Sequence, residues 1–180
     1  MLLETNRLLL KSYDHTLAEQ VFHVVQQQEI AHTLMHLPHP YPRNFVERWI
    51  TYVKESYEQG TAYELAIFLK ETEQYIGNCG LVSVTKAHKK AEIGYFIDVH
   101  HWGKGYATEA CQEVLAFGFT TLHLNRISGR CMTRNPASRN VLEKIGMTFE
   151  GRHRQEFMKN NLYEDIDYLA ILANDYFTKR

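Results

Sequence analysis

No hydrophobic run in this sequence approaches the ~18 residues a membrane helix requires, so a bilayer-spanning segment is not expected. Cysteine is scarce: Cys79, Cys111 and Cys131 stand far apart, with no C-x-x-C between them. An odd, sparse set gives no disulfide framework and fits reduced thiols in a cytosolic protein. An excess of charge of either sign is also missing. Twenty Lys and Arg against 21 Asp and Glu leave a formal net charge of -1, so no global basic field draws the chain directly to nucleic acid. Internal repeats, low-complexity tracts and Pro/Gly/Ser linkers are lacking too. The 180 residues are therefore read as one domain, 1–180, with a single sizeable core. The opening MLLETNRLLLKSY carries Glu4, Arg7 and Lys11 and lacks a small-residue cleavage site, so it does not read as a signal peptide. A cytoplasmic location follows as the expectation.

What is present is ordinary globular composition, 44% hydrophobic and 23% charged, in which periodicity can be read directly. Arg7 to Leu10 reads as a short strand. Leu17 to Gln28 carries Leu17, Val21, Val24 and Val25 at helical spacing. Pro38, Pro40 and Pro42 in HTLMHLPHPYP forbid a continuous helix there. Asn44 is the expected cap of a second helix bearing Phe45, Trp49, Tyr52, Val53 and Tyr57, ended by Gly60.

Tyr63 to Leu69, Gln74 to Val84 and Ala91 to Asp98 are rich in β-branched and aromatic residues and read as strands. Gly94 within the third hints at a bulge or a close backbone approach. From Tyr106 to Leu122, two adjacent i, i+4 ridges mark the clearest helix, placing Cys111 on an apolar face. Glu109 in its first turn suits the helix dipole. Arg126 to Met132 is another strand, and Pro136 to Ile145 a short helix capped by Gly146. Thr148 to Met158 and Tyr163 to Leu172 are two final strands around a Lys159-Asn160-Asn161 turn. The order β-α-α-β-β-β-α-β-α-β-β describes an α+β chain, a mixed sheet with helices packed on it.

Gly103 and Gly105, in HHWGKGYATEA (His100 to Ala110), sit where a hydrophilic turn becomes the long helix. A P-loop is excluded because Gly-Lys is followed by Gly105 rather than Ser or Thr. A dinucleotide fingerprint lacks its third glycine, where Thr108 stands. Two readings remain open. One is an ordinary tight turn; the other is a pyrophosphate nest, in which backbone N–H groups at a helix start converge on an anion. Lys104 would add positive charge there, and His100 and His101 further donors.

Two segments together carry a resemblance. AEIGYFIDVHHWGKGYATEA, Ala91 to Ala110, resembles the central strand and R/Q-x-x-G-x-G/A loop of the GNAT superfamily of N-acetyltransferases. NPASRNVLEKIGMTFEG, Asn135 to Gly151, is similar to its second signature, N-x-x-S-x-x-x-L-x-K-x-G-F. ETNRLLL, WGKGYATEA and NPAS are most like the Rim-type group, which acetylates N-termini of ribosomal proteins. The resemblance implies a GNAT-like fold: a central, mostly antiparallel, splayed mixed sheet of about seven strands with helices on both faces.

It also implies acetyl-CoA as co-substrate. The pyrophosphate is expected on Trp102, Gly103, Lys104, Gly105, Tyr106 and Ala107. The pantetheine arm is expected along Phe96, Ile97, Asp98 and Val99, as β-augmentation by an amide-bearing ligand. Asn135 is expected to face the coenzyme, with Ser138 near its sulfur. The chain departs from the signature in two places, and from some relatives in a third. His100 stands where the signature has Gln or Arg, and Met147 where it has Phe. Leu142 stands where some relatives carry a proton-donating tyrosine, which leaves Ser138 as the candidate acid.

The implied reaction is direct attack of a neutral amine on the thioester within a ternary complex, needing a base for one proton and an acid for the thiolate. A backbone N–H of the splayed strand would stabilise the oxyanion. An α-amine, with a pKa of ~7.7–8.0, is far easier to neutralise than a lysine at ~10.4. Candidate bases are Glu92 and Glu156, with structural roles in competition. For Ser138 the competitor is a backbone bond, and for Asn135 a helix cap.

His32, His36 and His39 have a spacing that could gather imidazoles on zinc, but Pro38 and Pro40 spoil the presentation and no metal is expected. They are expected instead, with Tyr41 and Trp49, to shape the acceptor pocket or pack in the core. The acceptor expected is a protein N-terminus. The alternatives are a small amine (polyamine, amino sugar or antibiotic) or an acyl-CoA-binding module with weak catalysis. The chain is expected to act as a monomer or homodimer.

Overall fold

Alternating apolar residues from Tyr63 to Ile97 make three consecutive strands that pair edge to edge, and the sheet grows outward from them. In the computed structural model, which describes residues 1–178, eight strands form one sheet. They are β1 (Leu2–Glu4), β2 (Leu8–Ser12), β3 (Tyr63–Leu69), β4 (Tyr75–Thr85), β5 (Lys90–Ile97), β6 (Arg126–Met132), β7 (Thr148–Lys159) and β8 (Leu162–Leu172). Their spatial order is β1-β2-β3-β4-β5-β6-β8-β7. Only β5 and β6 run parallel, and they pair for just three residues, Lys90↔Arg126 to Glu92↔Ser128.

Six helices cover both faces: α1 (Ala18–Val25), α2 (Gln28–Thr33), α3 (Arg43–Gln59), α4 (Tyr106–Thr120), α5 (Pro136–Lys144) and α6 (Ala173–Thr178). The strand period of two sorts the core. Leu65, Ile67, Leu81, Ile93 and Ile127 pack on one face with Cys111, Val114 and Leu115 of α4 and Leu142 of α5. Ala66, Phe68 and Tyr75 pack on the other with Val21 and Val24 of α1, Ile30 of α2 and Ile50 of α3. Each fully buried Leu or Ile contributes about 1.5–3 kcal/mol. Helix α4 approaches closely because Gly118 has no side chain: a Cβ there would meet Ile127 Cδ1 at 2.6 Å.

The expected strands and long helices are present, and several details differ. The sheet has eight strands rather than about seven, because the three residues of β1 pair with β2 through Leu3↔Leu10. The helix expected over Leu17 to Gln28 ends at Val25, and α2 begins at Gln28. Asn44 is not a cap: α3 starts at Arg43 after Pro42, whose fixed φ of -67° and extended ψ of 124° set the turn into the helix. Gly94 makes no bulge. It pairs with Gly80, and the irregularity in that ladder lies at Val82/Thr85. The cysteines are free thiols and all buried, with Cys79 and Cys111 Sγ atoms 3.6 Å apart. Among the described residues no helix is long and apolar enough to cross a membrane.

Asp167 of β8 ties the far half of the sheet together. Its carboxylate accepts from Arg152 Nε of β7 at 2.7 Å and from Arg139 Nη1 of α5 at 2.7 Å. The Arg152 hydrogen bond, reinforced by Arg139 against the opposing effect of burial, holds its pKa below the usual carboxylate range. A depressed folded-state pKa means stability that is present at neutral pH and lost as pH falls from about 3.9 through the folded value. Asp167→Asn is expected to cost roughly 1–3 kcal/mol at pH 7. In urea unfolding, the gap to the wild type should close as the pH is lowered below about 4.

Candidate active site

The β5–β6 pairing ends at Glu92↔Ser128, while β4 goes on pairing with β5 as far as Gly77↔Ile97. From Ile93 to Ile97, one edge of β5 therefore has no partner strand. Tyr95 spans the gap. Its hydroxyl donates to the Ser138 carbonyl at 3.0 Å and lies 2.8 Å from Ser138 Oγ. Burial pushes the Tyr95 phenol well above its usual range, so it stays protonated. Ser138 is held in the first turn of α5, where Asn135 Oδ1 accepts from the Ser138 amide at 3.1 Å and Pro136 opens the helix. A cleft of about 690 Å³ opens here, walled by β5, the start of α4, β6, α5 and the end of α2.

The hydrogen bonds divide the turn before α4 into a bonded part and an open part. Asp98 closes the strand: its amide donates to Ile76 O at 2.7 Å, and its carboxylate accepts from Gln27 Nε2 at 3.0 Å and the His100 amide at 3.2 Å. The Val99 amide donates to Gln27 Oε1, that of His101 to Asp98 O, and that of Trp102 to Val99 O. From Gly103 to Thr108, by contrast, no amide has an acceptor among the described residues. Gly103 (φ 74°) and Gly105 (φ 81°) take the left-handed conformation that favours glycine, and both line the cleft.

The nest is braced from below by Arg7, between β1 and β2. Its Nη1 donates to Lys104 O at 3.0 Å and its Nε to Glu109 Oε2 at 2.7 Å. Burial of Glu109 opposes ionisation, but hydrogen bonds from Thr5 and Arg7 and the arginine charge outweigh it and lower its pKa. Arg7 thus neutralises the one carboxylate in the first turn of α4. Lys104 Nζ donates to His100 O at 3.1 Å.

Of the residues the sequence pointed to, Glu92, Phe96, Ile97, Trp102, Gly103, Gly105, Tyr106, Ala107, Asn135 and Ser138 line the cleft. Asp98, Val99, His100 and Lys104 lie behind it as the bonded turn just described. Glu92 is bound to Arg130 Nε at 2.8 Å, so protonating it means breaking an ion pair. Glu156 is not on the cleft wall; it accepts from Tyr168 at 2.6 Å and lies 3.1 Å from His153 Nδ1. His32 is hydrogen-bonded to Arg134, and His36 packs edge-on against Phe157 at 4.9 Å.

Tyr41 and Trp49 do not shape this cleft. They line a separate shallow depression of about 330 Å³ beside α3, and Trp49 packs edge-on against Tyr13 at 4.8 Å, because the prolines after α2 carry the chain away from the gap. Sequence reasoning missed Tyr95, Arg130 and the α2 wall, Ile30 and Thr33 to Met35. Tyr95, next to the noted Gly94, was within its reach; the α2 wall was hidden in the proline-rich stretch.

A cleft at a splayed parallel pair, with an amide nest at the following helix, defines an acyl-coenzyme transferase site. The profile described as the acetyltransferase (GNAT) domain matches residues 7–148. The uncharacterized N-acetyltransferase YoaA of Bacillus subtilis (strain 168) is 30% identical over 176 residues, covering 95% of this chain and 96% of YoaA. The chain belongs to the GNAT acetyltransferase family and is an acetyl-CoA-dependent N-acetyltransferase of that type.

Two solved structures share the fold. RimL, the ribosomal L7/L12 α-N-protein acetyltransferase in complex with coenzyme A, has a TM-score of 0.89 at 19% identity, covering 96% of this chain and 98% of that one. Spermidine N-acetyltransferase from Vibrio cholerae, with CoA and spermine, has a TM-score of 0.84 at 22% identity, covering 96% and 99%. At these identities the likeness is one of fold.

Gly105→Val puts a β-branched residue at φ 81°, a strain of roughly 1–3 kcal/mol. It should raise the Kd for acetyl-CoA at least about tenfold, read as loss of the coenzyme-induced thermal shift.

Proposed function

We propose that this chain acetylates a protein N-terminal α-amine, with the coenzyme pyrophosphate on the amides of Gly103 to Thr108 and the pantetheine arm along the open edge of β5. The observation that carries the acceptor assignment is electrostatic. Glu92 is the one carboxylate on the cleft wall among the described residues, and Arg130 already neutralises it. Nearby Glu164 is likewise bound by Arg134 at 2.7 Å. A polyamine brings two or more ammonium groups and needs free carboxylates to hold those that do not react. A single α-amine needs none, and reaching its neutral form at pH 7 costs only about 1–1.4 kcal/mol.

Transfer then proceeds by direct attack. The amine lone pair forms the C–N bond at the thioester carbonyl, the C–S bond breaks, and the thiolate takes the Ser138 hydroxyl proton. Tyr95 supports that step, since its phenol can turn from the Ser138 carbonyl to donate to Ser138 Oγ. Much of the acceleration comes from holding the two reactants together, up to ~7–11 kcal/mol in well-oriented systems.

Incubation with acetyl-CoA, N-terminal peptides and spermidine, followed by mass spectrometry, tests the acceptor: peptide α-amines should be modified and spermidine left unchanged. The reverse pattern would establish the small-amine reading suggested by the spermidine-acetylating neighbour. Ser138→Ala should lower kcat by ~10²-fold or more while the acetyl-CoA thermal shift persists.

A further inference from the structure

The mechanism above leaves the proton on the attacking amine without an acceptor, since Glu92 is ion-paired and Glu156 is off the cleft wall. One carboxylate on the same face of the sheet is differently placed. Glu64 of β3 pairs with Gly80 of β4, and Gly80 pairs with Gly94 of β5. Ala66 and Phe68, two and four residues on, pack with the α1–α3 core, so Glu64, which does not itself line the cleft, shares that face with Phe96 and Gly94 of its wall.

Both residues between Glu64 and the cleft are glycines. A Cβ on Gly80 would meet Tyr63 O at 2.4 Å and Glu64 Cα at 2.5 Å, so β3 packs tightly there, whereas one on Gly94 would meet nothing within 4 Å. The open space therefore lies over Gly94. Two strand spacings amount to ~9.6 Å; an extended glutamate covers about half of that, and one water completes the path.

The carboxylate is held but not neutralised. Glu64 Oε2 accepts from Asn78 Nδ2 at 2.8 Å, while Asn78 Oδ1 accepts from Tyr13, whose hydroxyl lies 3.2 Å from that of Tyr75. The titratable groups facing it are Tyr13, from the loop before α1, and Tyr75 of β4, with Asp98 at the end of β5 acting on Tyr75. None of these is a cation, and among the described residues Glu64 forms no ion pair. Its burial raises its pKa, as a carboxylate that must accept a proton near neutral pH requires.

We propose that Glu64 is the proton acceptor for the attacking amine, through a water lying over Gly94. As the C–N bond forms, the ammonium proton passes to the water and a water proton to Glu64. When the C–S bond breaks, the thiolate takes its proton from Ser138; Glu64 then releases its own to solvent, from which Ser138 Oγ is reprotonated. The products are the N-acetyl amine and the free coenzyme thiol.

This assignment rests on the transferase reading above, and the test separates the two. Steady-state kinetics with an acetylatable peptide, from about pH 5.5 to 9, are measured for the wild type, Glu64→Gln, Glu92→Gln and Gly94→Val. Glu64→Gln should lower kcat by ~10²–10⁴-fold while keeping the acetyl-CoA thermal shift. In the wild type, kcat should rise with pH and level off above the Glu64 pKa; in Glu64→Gln it should go on rising.

Gly94→Val, whose side chain would fill the open space over Gly94, should also lower kcat by displacing the water. Glu92→Gln should be the milder change of the two glutamates. Wild-type turnover with Glu64→Gln kcat within about threefold of it, or with an unaltered pH profile, overturns the Glu64 assignment alone. A wild type that acetylates no amine overturns the transferase reading and this assignment with it.

Discussion

The structure depends on a parallel strand pair that stops early. After Glu92↔Ser128, β5 and β6 diverge, and backbone groups along the open edge of β5 lose the partners a sheet would supply. Buried backbone N–H and C=O groups are costly to leave unpaired. An amide-bearing ligand can satisfy that edge as a strand would. The same divergence makes room for Tyr95 to reach Ser138 across the gap, which couples the shape of the sheet to the placement of the serine hydroxyl.

The second half of the cofactor site follows from the helix that connects these two strands. Crossing from β5 to β6 requires α4, and α4 must begin with unpaired amides. The turn before it uses the amides of Asp98 to Trp102 within the protein, while those of Gly103 to Thr108 have no acceptor among the described residues. Arg7 neutralises Glu109 at the helix start, which keeps that end attractive to an anion. One sheet distortion and one helix N-terminus together leave an unpaired strand edge and unpaired amides on neighbouring elements.

On the acceptor side, charge pairing is the organising feature. Glu92 with Arg130, Glu164 with Arg134 and Asp167 with Arg139 and Arg152 hold neighbouring strands and helices together. These carboxylates are therefore engaged in structure. Lys159, from the end of β7, donates to the carbonyls of Leu34, Met35 and Leu37 and fixes the segment after α2 against the cleft. Glu64 stands apart from this pattern: its hydrogen-bond partner is a neutral amide, beside glycines rather than arginines.

Much of this was legible locally. The strands Tyr63–Leu69 and Arg126–Met132 have the ends their composition suggested, and Gly60, with φ 69°, stops α3 as a left-handed cap must. The amide nest was readable as chemistry from Gly103 and Gly105, because helix starts always free N–H groups. Elements that exist only through partners were not readable. β1 is three residues that need β2, and α2 is six residues stabilised by burying Ile30 and Ala31. Whether Glu92 is a free base depends on Arg130, 38 positions away. That Glu64 shares a sheet face with the cleft residue Gly94 depends on a register running through Gly80. By itself the sequence determined periodicity and the left-handed glycines that end α3 and precede α4, since these arise from a residue and its near neighbours. Only the tertiary structure decided which carboxylates are neutralised by an arginine and which are not, since charge pairing depends on what lies across the sheet.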